Sequence, residues 1–293
     1  MKVLSFGSLN IDQVYSVDHI IMPGETEPAG DVTENCGGKG LNQTIALAKA
    51  GVSVWHAGLV GKDGGILIDK CRENGVHTDL IRTTEGRSGH TVIQVDKNGQ
   101  NSILLFGGAN RCVTEEYIDE VLGHFEPGDM IVLQNEINLL DRVMDKAFER
   151  GMQIVLNPSP YDAALEKCDL GKVSFLLMNE IEGEQMTGEK DPDRILSMVK
   201  EKYPKARTVL TLGSEGAVYQ DENGRHRQEI FKVKAIDTTA AGDTFTGYFI
   251  ASLIRGMEPS ECLETASKAS AIAVTRPGAL DSIPYREEVE QFR

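Results

Sequence analysis

The chain has 293 residues, 40% hydrophobic and 26% charged, the balance of a soluble globular protein, and no apolar run approaches the roughly 20 residues that cross a membrane. A formal net charge of −15 makes the chain a poor candidate for binding nucleic acid or anionic membranes, and neither is expected as a partner; any anionic ligand must be held by local donors at glycine-rich turns and helix N-termini. Five isolated cysteines without a C-x-x-C pair, and six histidines without metal spacing, argue against a disulfide scaffold and a zinc site.

Residues 2–7 (KVLSFG) read as a first strand. One early lysine and no long apolar stretch with a cleavage site speak against a signal peptide, and a cytoplasmic location is expected. Residues 11–36 are a long non-helical segment containing Pro23, Gly24, Pro28 and Gly30. A helix over 41–50 stops at Gly51, a strand follows at 54–59, and a helix over 65–74 ends at Gly75. Residues 88–106 alternate through HTVIQVD, turn at Lys97-Asn98-Gly99 and return through NSILLF, the pattern of a β-hairpin. Then come an apolar strand at 129–134, a helix over 140–150 closed by Gly151, and apolar strands at 153–157, 174–178 and 208–212. Continuous apolar strands between helices indicate an α/β fold with a parallel sheet covered on both faces, here one domain spanning 1–293. The two irregular segments, 11–36 and 88–106, are expected to form a small β-sheet outside the main layer, either a lid over the active site or an edge extension.

Open parallel sheets bind ligands at the carboxyl ends of their strands. The common phosphate motifs fail there. A Walker A loop would need Gly where Thr33 stands and Ser or Thr where Gly40 stands, and the dinucleotide fingerprint that could begin at Gly7 is broken by Leu9. The strongest signal is DTTAAGDTF at 237–245. Phe245, Phe249, Ile250, Leu253 and Ile254 follow at helical spacing and Gly256 can end that helix, which makes Ala240, Ala241 and Gly242 a small-residue turn at a helix N-terminus. Small side chains let a phosphate reach the backbone N–H groups, and the helix dipole adds attraction. Asp243 then stands at the mouth of an anion site, where it is either an N-cap or a base that takes a hydroxyl proton during phosphoryl transfer.

With the glycine-rich turn GGKGLNQ at 37–43, these residues resemble the ribokinase family of carbohydrate kinases. The resemblance runs nearly end to end and includes GSLNID at 7–12, MPGET at 22–26, GGAN at 107–110, LQNE at 133–136, LNPSP at 156–160, NEIE at 179–182, TLGSEG at 211–216 and AIAVTRPGA at 271–279. It implies a three-layer α/β/α fold with a mostly parallel central sheet and a small β-sheet lid. It also implies a kinase that joins ATP and D-ribose to give ADP and ribose 5-phosphate. Another sugar, a sugar acid or a nucleoside as acceptor, or a non-catalytic sugar- or nucleotide-binding regulator on the same fold, are the alternatives. By this resemblance Asn10, Asp12, Gly38, Lys39, Asn42 and Glu136 contact the sugar, Gly37-Gly38 is the hinge of the lid, Asp243 is the catalytic base, and Gly242 with Ala240 and Ala241 forms the anion hole. Asn179 and Glu182 organise Mg2+ and the triphosphate, Thr211, Gly213, Ser214 and Gly216 form the nucleotide loop, and Ser267 falls near the adenine. Asp237, Thr239, Ala273, Arg276, Gly278 and Ser282 match a monovalent-cation site, which implies activation by K+. Open strand edges in the lid suggest a homodimer formed through it. Three residues depart from the family pattern: Cys36 before the glycine turn, Arg111 after GGAN, and Tyr248, a large side chain that must find space two turns into the Asp243 helix.

Overall fold

The computed structural model describes residues 1–292. In chain order the strands are β1 (Val3–Phe6), β2 (Asn10–Ser16), β3 (Asp31–Gly37), β4 (Val54–Val60), β5 (Ile81–Thr83), β6 (Gly89–Val95), β7 (Asn101–Phe106), β8 (Met130–Gln134), β9 (Gln153–Asn157), β10 (Phe175–Asn179), β11 (Arg207–Thr211), β12 (Ala217–Gln220) and β13 (Arg225–Gln228). The helices are α1 (Lys39–Lys49), α2 (Gly65–Glu73), α3 (Glu115–Leu122), α4 (Leu140–Glu149), α5 (Glu180–Thr187), α6 (Pro192–Lys202), α7 (Ala241–Ile254), α8 (Pro259–Ala273) and α9 (Arg286–Gln291).

Nine strands form one sheet in the order β13-β12-β11-β10-β9-β8-β1-β4-β5. Every neighbouring pair from β11 to β5 is parallel, and the β12–β13 hairpin adds two antiparallel strands at one edge. Side-chain alternation along the central strands feeds two cores. Val3, Met130 and Val132 face a core shared with Leu41, Ile45, Phe249 and Leu263, so α1, α7 and α8 cover that side. Leu4, Phe6, Ile131 and Leu133 face the other, with Ile118, Val143 and Leu196 of α3, α4 and α6. This three-layer arrangement is the one expected from the sequence. From β1 the chain first builds outward through β4 and β5, then returns to place β8 on the opposite side of β1. The crevice between the carboxyl ends of β1 and β8 is therefore the switch point where open α/β sheets bind ligands.

The two irregular segments pair as a separate four-stranded sheet, β3-β2-β6-β7. β2 runs antiparallel to β3 and parallel to β6, and β7 returns antiparallel to β6. The Asn98-Gly99 turn forms as expected: Gly99 takes φ +78°, and the Asp96 carboxylate accepts the N–H groups of Asn98 at 2.8 Å and Gln100 at 2.9 Å. Helix α1 begins two residues earlier than the sequence suggested, because Gly38 at φ +94° makes the turn and releases Lys39 into the first helical position. The helices not anticipated carry ordinary start signals, such as Thr114 capping α3 and Asp191-Pro192 opening α6. Among the described residues no helix is long and apolar enough to cross a membrane.

His56 of β4 lies wholly inside this core, its Nδ1 2.7 Å from the hydroxyl of Thr44 on α1. Burial pushes its pKa from 6.5 down to about 4, so the folded protein holds it neutral. The unfolded chain binds a proton first as pH falls, so this contribution is complete above pH 6.5 and declines toward pH 4. We expect the unfolding free energy to fall by up to ~3 kcal/mol more across that interval in the parent protein than in His56→Gln, measured by urea denaturation at several pH values.

Candidate active site

The first turn of α7 forms a cradle of open backbone donors. Ala240 adopts a left-handed conformation, φ 57° and ψ 11°, and caps the helix without any side-chain hydrogen bond. That conformation is costly for a residue with a Cβ, and here it bends the chain so that α7 starts abruptly at Ala241. Ala241 donates its N–H to Thr238 O at 3.2 Å, while among the described residues the N–H groups of Gly242 and Asp243 find no protein acceptor. A Cβ added to Gly242 would meet nothing within 4 Å, so the approach to these donors is open. Asp243 is the third residue of the helix, which removes the N-cap alternative. Its carboxylate is 8% exposed and is held from both sides. Asn42 Nδ2 donates to Oδ2 and Gln43 Nε2 donates to Oδ1, each at 2.9 Å.

A second polar cluster occupies the switch point beside it. Ser8, just after β1, donates its hydroxyl to Glu136, just after β8, and the same Glu136 oxygen accepts the Lys39 N–H at 2.9 Å. Burial pushes the Glu136 carboxyl above the ordinary range, against the stabilising pull of Ser8 and Lys39. Lys39 feels the opposite balance: burial disfavours its charge, but the carboxylates of Asp243, Glu136 and Glu182 outweigh burial and hold its pKa above the usual lysine value. Asn10 is buried where the two arms of the lid converge, in register with Gly37 on one side and Gly89 on the other. Its side-chain oxygen accepts from Asn110 Nδ2 at 2.7 Å, and a Cβ on Gly89 would lie 2.2 Å from that oxygen. Asp12 accepts from Thr91 Oγ1 at 2.6 Å and packs against Gly37, where a Cβ would come within 1.9 Å of its carboxylate. Burial raises the Asp12 pKa despite the Thr91 hydrogen bond.

Two cavities meet at the cradle. The smaller, about 230 Å³, is lined by Lys39, Asn179, Glu182, Thr211, Ala240, Ala241, Gly242 and Asp243, together with Asn157, Ser159 and Thr238. The larger, about 470 Å³, is more apolar and is walled by Phe231, Val233, Ala271 and Val274, with Thr211, Gly213, Ser214, Gly216 and Ser267 at its rim. Thr211, Thr238, Ala241, Gly242 and Phe245 line both. Asn179 and Glu182 form a reciprocal capping box on α5: Glu182 N–H donates to Asn179 Oδ1 and Asn179 N–H to Glu182 Oε2, both at 2.9 Å. With their mutual bonds satisfied, these oxygens suit a hard cation approached through water rather than direct caging.

The residues matched to a monovalent-cation site lie behind α7 and line neither cavity. Asp237 ties two loops together, accepting the Thr239 N–H at 2.8 Å and the Gly278 N–H at 2.9 Å. Ala273 O accepts the Arg276 N–H at 3.0 Å, the Arg276 side chain pairs with Glu288, and the buried Ser282 hydroxyl donates to Ala279 O at 2.7 Å. Among the described residues the carbonyls of Asp237, Thr239, Arg276 and Gly278 accept no backbone hydrogen bond. The three departures resolve without entering the cavities. Arg111 braces Ile137 O at 3.1 Å, the buried Tyr248 hydroxyl donates to Pro284 O at 2.7 Å, and burial raises the Cys36 thiol to about 11, which leaves it protonated and inert. Gln43, Gln134, Thr238, Asn157 and Ser159 belong to the site without having been singled out from the sequence. All five nevertheless lie inside the motifs that carry the family resemblance, GGKGLNQ, LQNE, LNPSP and DTTAAGDTF.

Comparison with known proteins follows the same lines. Residues 1–286 match the family described as pfkB family carbohydrate kinase. The ribokinase of Staphylococcus aureus (strain COL) is 33% identical over 301 residues, covering 99% of each chain. The crystal structure of ribokinase from Thermotoga maritima superposes with a TM-score of 0.90 at 34% identity, over 99% of this chain and 98% of that one. The ribokinase of Arabidopsis thaliana complexed with ribose and ATP superposes with a TM-score of 0.88 at 28% identity, over 99% and 98%.

The glycine turn offers a direct test of the packing that joins the two clusters. A Cβ on Gly40 would lie 2.3 Å from Ser8 N and 2.6 Å from Gly7 C, backbone atoms that cannot swing away. Gly40→Ala should therefore lose ~1–3 kcal/mol of stability by displacing α1 from the end of β1, measured by urea denaturation. A stability equal to that of the parent protein would show that the contact is not tight.

Proposed function

Because the chain belongs to the pfkB family of carbohydrate kinases, we propose that it transfers the γ-phosphoryl group of ATP to D-ribose in the cytoplasm, with Asp243 as general base. The single observation carrying this reading is the convergence, in one cavity, of the Asp243 carboxylate with unpartnered N–H groups at the start of α7. The sugar lies over the switch point, where Asn10, Asp12, Gly38, Asn42 and Glu136 offer directional hydrogen bonds to hydroxyls that would otherwise be desolvated without partners. Asn42 Oδ1 is buried with no protein partner, and it can accept a sugar hydroxyl while Nδ2 holds Asp243. The raised Asp12 and Glu136 carboxyls gain most from hydroxyl donors, since each added hydrogen bond offsets the burial that destabilises their charge.

The base and the cradle act together. Asp243 takes the proton of the reacting hydroxyl as its oxygen bonds to the γ-phosphorus, and the bond to the ADP oxygen breaks. The Gly242 and Asp243 N–H groups and the positive end of α7 stabilise charge on the transferring group. Lys39, kept charged by three carboxylates and lining the same cavity, neutralises more of it and reads as a phosphate contact as much as a sugar contact. The apolar cleft takes the adenine and ribose of the nucleotide, with Thr211, Gly213, Ser214, Gly216 and Ser267 supplying polar contacts. Mg2+ would be held through water by Asn179 and Glu182 and would neutralise triphosphate charge. K+ would be held by carbonyls of the 237–239 and 273–278 loops beside Asp237 and would brace the start of α7. The four-stranded sheet serves as a lid that excludes water, hinged at Gly37-Gly38.

The lid also supports a homodimer. β7 is an edge strand, and its Ile103, Leu104, Leu105 and Phe106 are 57, 71, 46 and 54% exposed, an apolar edge that pairing with a second copy would cover.

Two measurements test these assignments. ADP release should be fast with ATP and D-ribose and slower with 2-deoxyribose, hexoses, sugar acids and nucleosides, and Asp243→Asn should keep binding while turnover drops ~10²–10⁴-fold. An active Asp243→Asn, or efficient turnover of another acceptor but not ribose, would overturn the base or the substrate respectively. Sedimentation at micromolar concentration should give twice the chain mass, and Leu104→Glu should give a monomer; a monomeric parent protein would remove the dimer.

A further inference from the structure

We propose that Gln43 and Gln134 form a two-amide relay that positions Asp243 for proton abstraction, an inference that rests on the assignment of Asp243 as the base. Gln134 at the end of β8 donates from Nε2 to Gln43 Oε1 at 2.7 Å, and Gln43 on α1 donates from Nε2 to Asp243 Oδ1 at 2.9 Å. Both glutamines are fully buried. An amide can face a carboxylate with its NH2 or with its oxygen, and only the NH2 attracts. Asp243, which only accepts, turns the Gln43 NH2 toward itself and the Gln43 oxygen toward Gln134, whose N–H group then holds that orientation from behind.

This polarity carries a penalty that packing alone does not explain. Gln134 Oε1 is left buried without a hydrogen-bond partner, close enough to Gly7 that a Cβ there would lie 2.2 Å away. An unsatisfied buried amide oxygen is destabilising, and an apolar residue of the same shape would avoid it. What the arrangement gains is a carboxylate fixed at both oxygens, by Asn42 on Oδ2 and by the relay on Oδ1. The remaining lone pairs of Asp243 are then aimed at the cavity, in the geometry a reacting hydroxyl needs. The charged groups facing the carboxylate are Lys39 from α1 and Glu136 from the turn after β8, with Glu182 of α5 acting on Lys39. Neither carboxylate contacts the relay, so the relay can be removed without discharging the site.

Gln43→Met and Gln134→Met keep side-chain length and delete the amides. With ATP and D-ribose, each should lower kcat about 10- to 100-fold while both KM values stay within about threefold, as expected when a reacting group is misaimed rather than a substrate lost. The double variant should be no slower than the slower single one, since both act through one path. A folded variant with parental kcat, while Asp243→Asn is inactive, would overturn the relay and leave the base assignment standing; additive losses would overturn it too. An active Asp243→Asn would instead sink the base. If Gln43→Met does not fold, Gln134→Met, one residue removed from the carboxylate, carries the same test, and failure of both to fold would mark the pair as structural and refute the proposal.

Discussion

A carboxylate that is 8% exposed and sits at the open end of a helix N-terminus must be held by donors that do not compete for its reactive face. The rest of the site follows from meeting that constraint at Asp243. The donors come from α1, where Asn42 and Gln43 each reach one carboxylate oxygen. For α1 to stand there it must approach the end of β1 closely, and only glycine at position 40 permits this. The glycine turn is thus less a phosphate loop than the means by which one helix is pressed onto the switch point to serve the start of another. The N–H groups proposed to hold the phosphate lie on α7, where the left-handed turn at Ala240 leaves them without a protein acceptor.

The same geometry accounts for how an acidic protein can take an anionic nucleotide. A net charge of −15 sets an unfavourable long-range field, but the field at the cradle is local. Backbone donors, the helix dipole and one lysine supply the attraction there. Glu136, Glu182 and Asp243 do not simply repel a phosphate, because they keep Lys39 charged where burial alone would tend to neutralise it.

Much of this was readable from the chain. The apolar strands, the small-residue turn before Asp243 and the turn at Asn98-Gly99 are local signals, and the structure places them as read. Family membership, full-length matches at about one third identity and superposable structures agree with the resemblance carried by those motifs. What the chain concealed was tertiary or conformational. The Gln43–Gln134 bond joins residues 91 positions apart with no shared period, so no local pattern could reveal it. That Asp243 is not the helix cap follows from the backbone angle of Ala240, and alanine is not a residue that announces φ 57°. The start of α1 was misjudged for the related reason that Gly38 could have ended a loop or opened a helix.

The departures from the family pattern also find a physical place. Tyr248, the large side chain two turns into the Asp243 helix, is buried and donates its hydroxyl to Pro284 O. Lys49, at the other end of α1 from Asn42, donates to Leu280 O and Ile283 O at 2.9 Å each and lies over the Tyr285 ring at 5.0 Å. These contacts clamp the segment after Gly278, which Asp237 ties to the loop preceding α7. One helix, α1, therefore holds the carboxylate of Asp243 at its N-terminal end and, at its C-terminal end, the strap behind the cradle. A large aromatic at position 248 is accommodated on that same strap, its ring buried and its hydroxyl bonded to Pro284 O.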